Sequence, residues 1–210
     1  TEAEWEYFAR AGTTTPYYFG ADSDELGDHA WFDDNADWET HPVGTKSPNA
    51  WGLYDVLGNA AEWTLDEYDA SRYANLADSH ESLPVAVADA VSWPTKLFPR
   101  SIRGGSWLDT ADRCRVAARQ ASEDEEWKLS DPNIPLSPWW YTEEPAMGVG
   151  MRIVRPLAGI PAADKPRVWD AETKRIANDV QVRLEEGRGV RGVADSSLPA
   201  ATEAARKLTD

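Results

Sequence analysis

PVGTKSPNAWGLYDVLGNAAEW, residues 42–63, is the stretch of this chain that decides its fold. Ser47–Ala50 predicts a turn and Trp51–Tyr54 a short apolar segment. Gly58–Trp63 predicts a second, compact turn that leads into Thr64–Asp66. With 14 glycines and 14 prolines among 210 residues, the whole chain favours a loop-rich fold with short regular elements.

Upstream of this stretch, Thr1–Arg10 reads TEAEWEYFAR and predicts a helix. Thr1 and Glu4 form the T-x-x-E pattern of a capping box, in which two side chains satisfy backbone N–H groups at a helix start. Trp5 and Phe8, three residues apart, are predicted to share one face of this helix. A chain that opens on its own N-cap without Met is typical of a fragment or a processed product, so we expect an N-terminally incomplete domain.

Downstream, three short segments predict strands. Ile102–Trp107 has a strand pattern that a glycine pair interrupts, and Arg115–Arg119 and Gly150–Arg155 alternate as strands do. Tyr73–Leu76 and Val85–Val91 fit either a short helix or a strand, because periodicity does not separate the two over so few residues. The strands of the domain are therefore expected to be short.

The acidic residues are concentrated in one part of the chain. The net charge of −16 arises entirely from residues 1–157, which hold 12 basic and 28 acidic residues, whereas residues 158–210 sum to zero. Such a surface repels phosphate backbones, which excludes nucleic acid as a main partner. It is compatible with calcium or a basic partner, and solubility alone is an equally good explanation. No apolar stretch approaches the roughly 18 residues that cross a bilayer.

The composition changes after Leu157, which predicts a domain boundary there. Residues 1–157 contain ten of the eleven tryptophans, whose large rings can build a core from irregular loops. Residues 158–210 are predicted to form a linker followed by a helical extension. Within them, Trp169–Glu186 has the apolar spacing of an amphipathic helix, which either packs back on the domain or docks on a partner or a neighbouring subunit.

Four segments, standing in order along the chain, resemble the sulfatase-modifying-factor family: TEAEWEYFAR (1–10), PVGTKSPNAWGLYDVLGNAAEW (42–63), RGGSW with RCRVAAR (103–107 and 113–119), and GMRIVR (150–155). That family includes the formylglycine-generating enzymes and one half of the ergothioneine-type sulfoxide synthases. Its pattern reads TEAEWEYAAR, PNxxGLYDMxGNVWEW, RGGSW and GFRxV. The resemblance implies an irregular, loop-rich α+β domain, a C-type-lectin-like variant, and it implies that residues before Thr1 are missing here.

The segment GLYDVLGNAAEW resembles the calcium site of formylglycine-generating enzymes. The resemblance gives Asp55 and Glu62 as side-chain ligands, and Gly58 and Ala60 as ligands through their carbonyl oxygens. Calcium takes six to eight oxygens, and a tight turn with a carboxylate at each end can wrap one ion. The alternative is that Glu62 caps local N–H groups and Gly58 only permits the turn.

The resemblance also implies a copper site just after RGGSW, where two cysteines five residues apart bind Cu(I) in the enzymes. Counted without gaps from Gly104, those positions are Asp109 and Cys114, so the chain has only one of the two sulfurs. A carboxylate with one thiolate is a poor site for a soft ion. The sequence therefore argues against copper-dependent formylglycine formation, and Cys114 is predicted to be a buried, small apolar residue.

Iron is the metal of the sulfoxide synthases, where histidines of a separate helical domain hold it. The three histidines of this chain have no H-x-x-x-H spacing, which argues against an iron site within it. They are His29, His41 and His80.

Two groups of residues are candidates for ligand binding. Arg113, Arg115 and Arg119 alternate and are predicted to share one face of a strand, where they could clamp a carboxylate or a phosphate. Pairing with acidic surface residues is the alternative. Trp139, Trp140 and Tyr141 follow a proline in a long loop, and they either line a cleft for a peptide or small molecule or cover the core.

Three functions remain open on the sequence. The first is a non-copper family member that acts as a calcium-stabilised binding or scaffold module within a larger protein or assembly. The second is a family oxidoreductase whose metal ligands lie outside this chain. The third is a ligand-display domain, which would be rich in Asn, Ser or Tyr over residues 103–155, and that enrichment is not found. Because many relatives are exported and calcium is abundant outside the cytosol, the resemblance favours an extracytoplasmic location.

Overall fold

A computed structural model describes residues 1–79, 85–95, 99–122, 148–154, 161–163 and 174–186. The chain divides into two compact units, Thr1–Leu157 and Ala158–Asp210. None of the described helices is long and apolar enough to span a membrane.

The first element is helix α1, Glu2–Arg10, and it starts as the sequence predicts. The Thr1 hydroxyl accepts a hydrogen bond from the Glu4 N–H, and the Glu4 side chain accepts from the Thr1 backbone, so the capping box is confirmed. Trp5 and Phe8 do share a face, with ring centroids 5.8 Å apart. The helix ends at Ala11, which has a left-handed backbone conformation.

Four strands form one mixed sheet in the described part of the first unit: β1 (Ala61–Glu67), β2 (Arg100–Arg103), β3 (Arg119–Ala121) and β4 (Val149–Gly150). Their order is β3-β2-β1-β4. The β1–β2 and β2–β3 pairs are antiparallel and the β1–β4 pair is parallel. A mixed sheet with few helices confirms the α+β class.

Short helices fill the segments whose pattern was ambiguous. Residues Tyr73–Leu76 lie in α2 (Arg72–Ser79), and Val85–Val91 contains α3 (Val87–Ala90), so the helical alternative is correct in both places. A 3-10 helix spans Ser23–Asp28. In the second unit, α4 (Lys174–Glu185) confirms the described part of the predicted C-terminal helix.

Three predicted strand boundaries are wrong. Strand β2 ends at Arg103, because Gly104 and Gly105 both have positive φ and turn the chain away from the sheet. Residues 115–118 are turns, and β3 begins only at Arg119. The final strand is limited to Val149–Gly150, and residues 151–154 follow it without regular structure. Arg155 lies outside the described residues.

The core of the first unit packs α1 against loop residues rather than against the sheet alone. Its buried members include Trp5, Tyr17, Tyr18, Leu26 and Leu57. Rings set in loops therefore do build the core. Not every tryptophan contributes to it, because among the described ones Trp38 is largely exposed and Trp51 about half exposed.

Candidate functional site

The turn around Gly58 is fixed by a close approach to Trp31. Gly58 has φ 69°, and a Cβ at this position would lie 2.2 Å from the carbonyl oxygen of Trp31. The Gly58 N–H donates to the Gly104 carbonyl at 2.9 Å, and the Asn59 N–H donates to the Trp31 carbonyl at 2.7 Å. Only glycine fits this position, so the turn has a structural requirement independent of any ion.

The two carboxylates predicted to bind calcium stand on either side of this turn. Asp55 has a left-handed backbone, with φ 52°, and its Oδ2 accepts a hydrogen bond from the Gly44 N–H at 2.7 Å. Glu62 lies on β1 and is buried, and its Oε2 accepts from the Trp5 indole N–H at 2.8 Å. This last bond joins α1 to the sheet.

Arg152, which follows β4, links the Glu62 carboxylate to the backbone beside Asp55. Its Nη2 donates to Glu62 Oε1 at 2.7 Å, and its Nε is 3.0 and 3.1 Å from the two carboxylate oxygens. The same Nη2 also donates to the carbonyl oxygens of Tyr54 and Asp55, at 2.9 and 3.3 Å. The guanidinium therefore supplies the positive charge that neutralises Glu62 in this arrangement.

The donor set is nevertheless suited to calcium. In the described part of the chain, the carbonyl oxygens of Gly58 and Ala60 accept no hydrogen bond. Asp55, Ala60 and Glu62 border an open pocket of about 650 Å³ through which water can reach the Ala60 carbonyl, whereas Gly58 is buried and does not line it. Two carboxylates, two free carbonyls and added waters can reach the six to eight oxygens that calcium takes, provided that Arg152 releases Glu62. No cluster of three or more His, Cys, Asp or Glu side chains that could hold a metal is found among the described residues.

The residues at the copper positions do not suit Cu(I). Cys114 is the only cysteine of the chain and is fully buried. Burial, followed by the nearby carboxylates of Asp109, Asp33 and Asp112, raises the pKa of the Cys114 thiol far above its usual range, so the thiol stays protonated. Asp109 in turn accepts hydrogen bonds from the Ser106 N–H and hydroxyl at 2.9 and 2.7 Å.

Two histidines lie among aromatic rings. The His41 ring stacks on Trp31 with centroids 3.8 Å apart, and its Nε2 is 2.9 Å from the Ala36 carbonyl oxygen. The His29 ring stacks on Phe19 at 4.1 Å. Both are packing residues in this structure, and His80 lies outside the described residues.

Arg119 belongs to a buried ion network rather than to an open row of arginines. Its Nε and Nη2 donate to the two oxygens of Glu2 at 2.6 and 2.9 Å. Arg103 donates to the same Glu2 at 3.1 Å and to Glu6 at 2.5 Å. The desolvation of Glu2 raises its pKa, but the hydrogen bonds from Arg119 and the charges of Arg103 and Arg119 outweigh it, so the pKa falls below its usual value.

The predicted row of three arginines on a strand face is therefore wrong, because Arg113 and Arg115 sit in turns before β3 begins. All three nevertheless border one polar pocket of about 390 Å³. Both Arg113 and Arg115 are exposed. The aromatic candidates Trp139, Trp140 and Tyr141 lie outside the described residues.

The roles of Arg103 and Arg152 were not predicted from the sequence. Both belong to quoted motifs, RGGSW and GMRIVR, and their partners Glu2 and Glu62 belong to two others. The usable signal was the opposite charge of these motif residues, since a buried ion must be paired. Nothing in the spacing of residues about 90 or more apart indicates which charges meet.

Residues 1–128 match the family described as the sulfatase-modifying factor enzyme 1-like domain. The formylglycine-generating enzyme of Mycobacterium tuberculosis is 36% identical over 134 residues, which are 57% of this chain and 44% of that protein. The inactive C-alpha-formylglycine-generating enzyme 2 of Bos taurus is 32% identical over 137 residues, 58% of this chain and 38% of that protein. Among solved structures, Treponema denticola variable protein 1 is 34% identical with a TM-score of 0.45, covering 58% of this chain and 40% of that one. The chain thus spans less than half the length of each of these relatives.

Proposed function

The chain belongs to the sulfatase-modifying factor enzyme 1-like domain family, and from this premise we propose that it is a non-copper member that acts as a calcium-stabilised binding or scaffold module within a larger protein or assembly. The observation that carries the proposal is the single thiol of Cys114, which is buried and kept protonated beside the carboxylate of Asp109. A Cu(I) centre needs accessible thiolates, and these two residues supply none. The proposed fold is the C-type-lectin-like variant, within which loops carry the binding surface.

A family member without the oxidation chemistry has a counterpart among the relatives. The bovine protein that matches this chain is named as an inactive formylglycine-generating enzyme. A fold that keeps its framework but lacks the reactive group is suited to binding, because the loops remain positioned while the chemistry is absent. This supports a binding role in preference to a catalytic one.

Calcium is the stabilising ion that we propose for the turn between Asp55 and Glu62. Asp55, Glu62 and the carbonyls of Gly58 and Ala60 would hold it, and the ion would supply positive charge to a turn that carries two carboxylates. In its absence, Arg152 supplies that charge to Glu62. Calcium and Arg152 therefore compete for one carboxylate in this proposal.

The experiment that tests the proposal compares melting temperatures in calcium and in EGTA. Saturating calcium at about 100 times its Kd stabilises by about 2.7 kcal/mol, which raises the melting temperature by about 5–10 °C for a domain of this size. Asp55→Asn and Glu62→Gln are expected to lose this calcium-dependent increase. Arg152→Met frees Glu62 and is expected to melt lower than the wild type in EGTA while showing a larger increase with calcium.

The matched control is Glu25→Gln, which removes the same charge from an exposed position on the 3-10 helix. It should keep the full calcium-dependent increase. Equal melting temperatures of the wild type with and without calcium, together with no calcium in elemental analysis, would mean that the turn is held by Arg152 alone and that calcium is not part of the function.

A second candidate is a family oxidoreductase that uses metal ligands outside this chain. Its support is the 36% identity to the formylglycine-generating enzyme of Mycobacterium tuberculosis. Elemental analysis of the purified full-length protein separates the two candidates. Stoichiometric copper or iron favours the oxidoreductase, whereas calcium at about one ion per chain favours the binding module.

A further inference from the structure

A positively charged pocket lies on the rim of β3, away from the turn between Asp55 and Glu62. Its volume is about 390 Å³, which lies within the range of small-molecule sites. Arg113, Arg115, Arg119, Asp112, Tyr68 and Gln120 contribute most of its polar lining. The chain around it carries a net charge of −16, so a concave surface with several guanidinium groups is a local exception.

Arg119 forms the rigid wall of the pocket. Its guanidinium is already bound to Glu2 through two nitrogens, and the third donates to the Asp69 carbonyl at 3.0 Å. Its face also lies over Tyr68, 5.1 Å from the ring centroid. Arg119 therefore has its charge compensated by Glu2 and uses three of its five N–H donors within the protein, so it positions the aromatic side of the pocket and is not its main anion donor.

Arg115 combines a backbone that is held in place with terminal nitrogens that are available to a ligand. Its neighbours Cys114 and Val116 are fully buried, and the Val116 N–H donates to the Pro16 carbonyl at 2.9 Å, which holds the turn in place. The Nε of Arg115 donates to the Asp112 carbonyl at 2.7 Å. In the part of the chain that the structure describes, no carboxylate binds its two terminal nitrogens.

Arg113 is the second available cation. Among the described residues, its nearest carboxylate oxygen, on Asp109, is 3.9 Å away, beyond hydrogen-bond distance, and 58% of its side chain is exposed. Asp109 is already satisfied by Ser106 and by the Gln120 amide at 3.0 Å. Among the described residues that line the pocket, Asp112 is the one carboxylate, so this part of the lining keeps about one net positive charge once Glu2 compensates Arg119.

From these contacts we infer that the pocket binds a small organic oxyanion, a carboxylate or a phosphate ester, through the terminal nitrogens of Arg115 and Arg113. The planar N–H groups of a guanidinium match the oxygens of both anions. Two guanidinium groups beside the fixed side chain of Arg119 therefore give a bidentate site. The volume exceeds that of a bare anion, so the ligand carries an organic body that packs beside Tyr68. This inference rests on the proposed binding role and names its ligand class.

The test titrates the full chain with inorganic phosphate, phenyl phosphate and benzoate by calorimetry at low ionic strength, in EGTA and again in calcium. Phenyl phosphate or benzoate is expected to bind the wild type more tightly than inorganic phosphate. Arg113→Met with Arg115→Met should weaken that binding at least tenfold without lowering the melting temperature, since both side chains are exposed. Lys174→Met, which removes a positive charge from an exposed position on α4, is the matched control and should bind as the wild type does.

The preferred probe identifies the anion: tighter phenyl phosphate assigns a phosphate ester, and tighter benzoate assigns a carboxylate. Wild-type binding of none of the probes, or an equal loss in Lys174→Met and the double variant, would overturn the site. Glu62→Gln distinguishes this result from the calcium proposal, because that variant removes the calcium-dependent increase in melting temperature and leaves anion binding intact. If the wild type binds no anion but keeps its calcium-dependent increase in melting temperature, the anion site is wrong and the calcium proposal is unaffected.

Discussion

Arg103 shows at the residue scale how the quoted motifs hold one another. It is the last residue of β2, and its side chain is completely buried against α1, about 100 residues earlier in the chain. It donates to Glu2, Glu6 and the Val116 carbonyl, and its guanidinium lies 5.2 Å from the Trp5 ring. The RGGSW arginine is therefore a link between the first helix, the sheet and the turn before β3.

Arg103→Met is expected to destabilise the domain by about 3–5 kcal/mol, because it leaves the buried Glu2 carboxylate, the partly buried Glu6 carboxylate and the Val116 carbonyl with fewer donors. Urea denaturation monitored by tryptophan fluorescence measures the change. Arg103→Lys keeps the charge but not the planar set of N–H donors, so its stability should lie between those of Arg103→Met and the wild type. A loss below about 1 kcal/mol in Arg103→Met would mean that Arg119 alone satisfies Glu2.

The residues of the site could be found from the sequence more easily than their roles. Asp55 and Glu62 do flank one turn, because the glycine and its neighbours act over a few residues. Arg119 was grouped with Arg113 and Arg115, but its partner Glu2 stands 117 positions earlier in the chain. Contacts over such separations follow from tertiary packing, which the local pattern does not encode.

At the element scale, one carboxylate fastens three segments. Asp66, buried near the end of β1, accepts from the Glu2 N–H at the start of α1 at 2.7 Å. Its other oxygen accepts from the Ser92 N–H at 3.0 Å. The first turn of a helix has four N–H groups without partners inside the helix. In α1, Thr1 accepts from the Glu4 N–H, and Asp66 accepts from the Glu2 N–H.

Asp66→Ala should therefore cost about 1–3 kcal/mol for each of the two N–H groups that lose their acceptor. Chemical denaturation gives the total, and amide hydrogen exchange at Glu2 and Ser92 should increase together. Asp66→Asn keeps one acceptor oxygen in nearly the same shape and is the control, with an expected loss about half as large. Faster exchange at only one of the two amides would contradict a shared anchor.

Helix α1 was predictable and β3 was not, for a physical reason. The capping box of α1 is built from residues three apart, so its signal is local. Residues 114–118 alternate in burial, with Cys114 and Val116 inside and Arg115 outside, and this imitates a strand. Their backbone bonds are those of turns, such as the Ala118 N–H to the Arg115 carbonyl at 2.9 Å. Period-two burial alone does not make a strand when no neighbouring strand pairs with it.

At the scale of the whole molecule, buried ionisable groups set the pH range of stability. The pKa of Glu2 is lowered in the folded state, so its contribution is present above its ordinary value of 4.5 and is lost as the pH falls below it. On the alkaline side, burial raises the pKa values of Cys114, Tyr17 and Tyr18, and that of Tyr73 to about 12. Stability is expected to be greatest between these two limits.

Cys114 should account for the first part of the alkaline loss. Above its ordinary pKa of 9.0 the unfolded chain releases the thiol proton while the folded chain retains it, so stability falls as the pH rises. The limiting slope is about 1.4 kcal/mol per pH unit for one group.

Urea titrations of the wild type and Cys114→Ala under reducing conditions at pH 8, 9 and 10 measure this slope. The variant has a constant packing cost and should lose less stability than the wild type between pH 8 and 10, because only the tyrosines, whose ordinary pKa is 10.0, then lower its stability as the unfolded chain ionises. Parallel curves would mean that the folded thiol ionises as readily as the unfolded one, and that the site after RGGSW does hold an accessible thiolate.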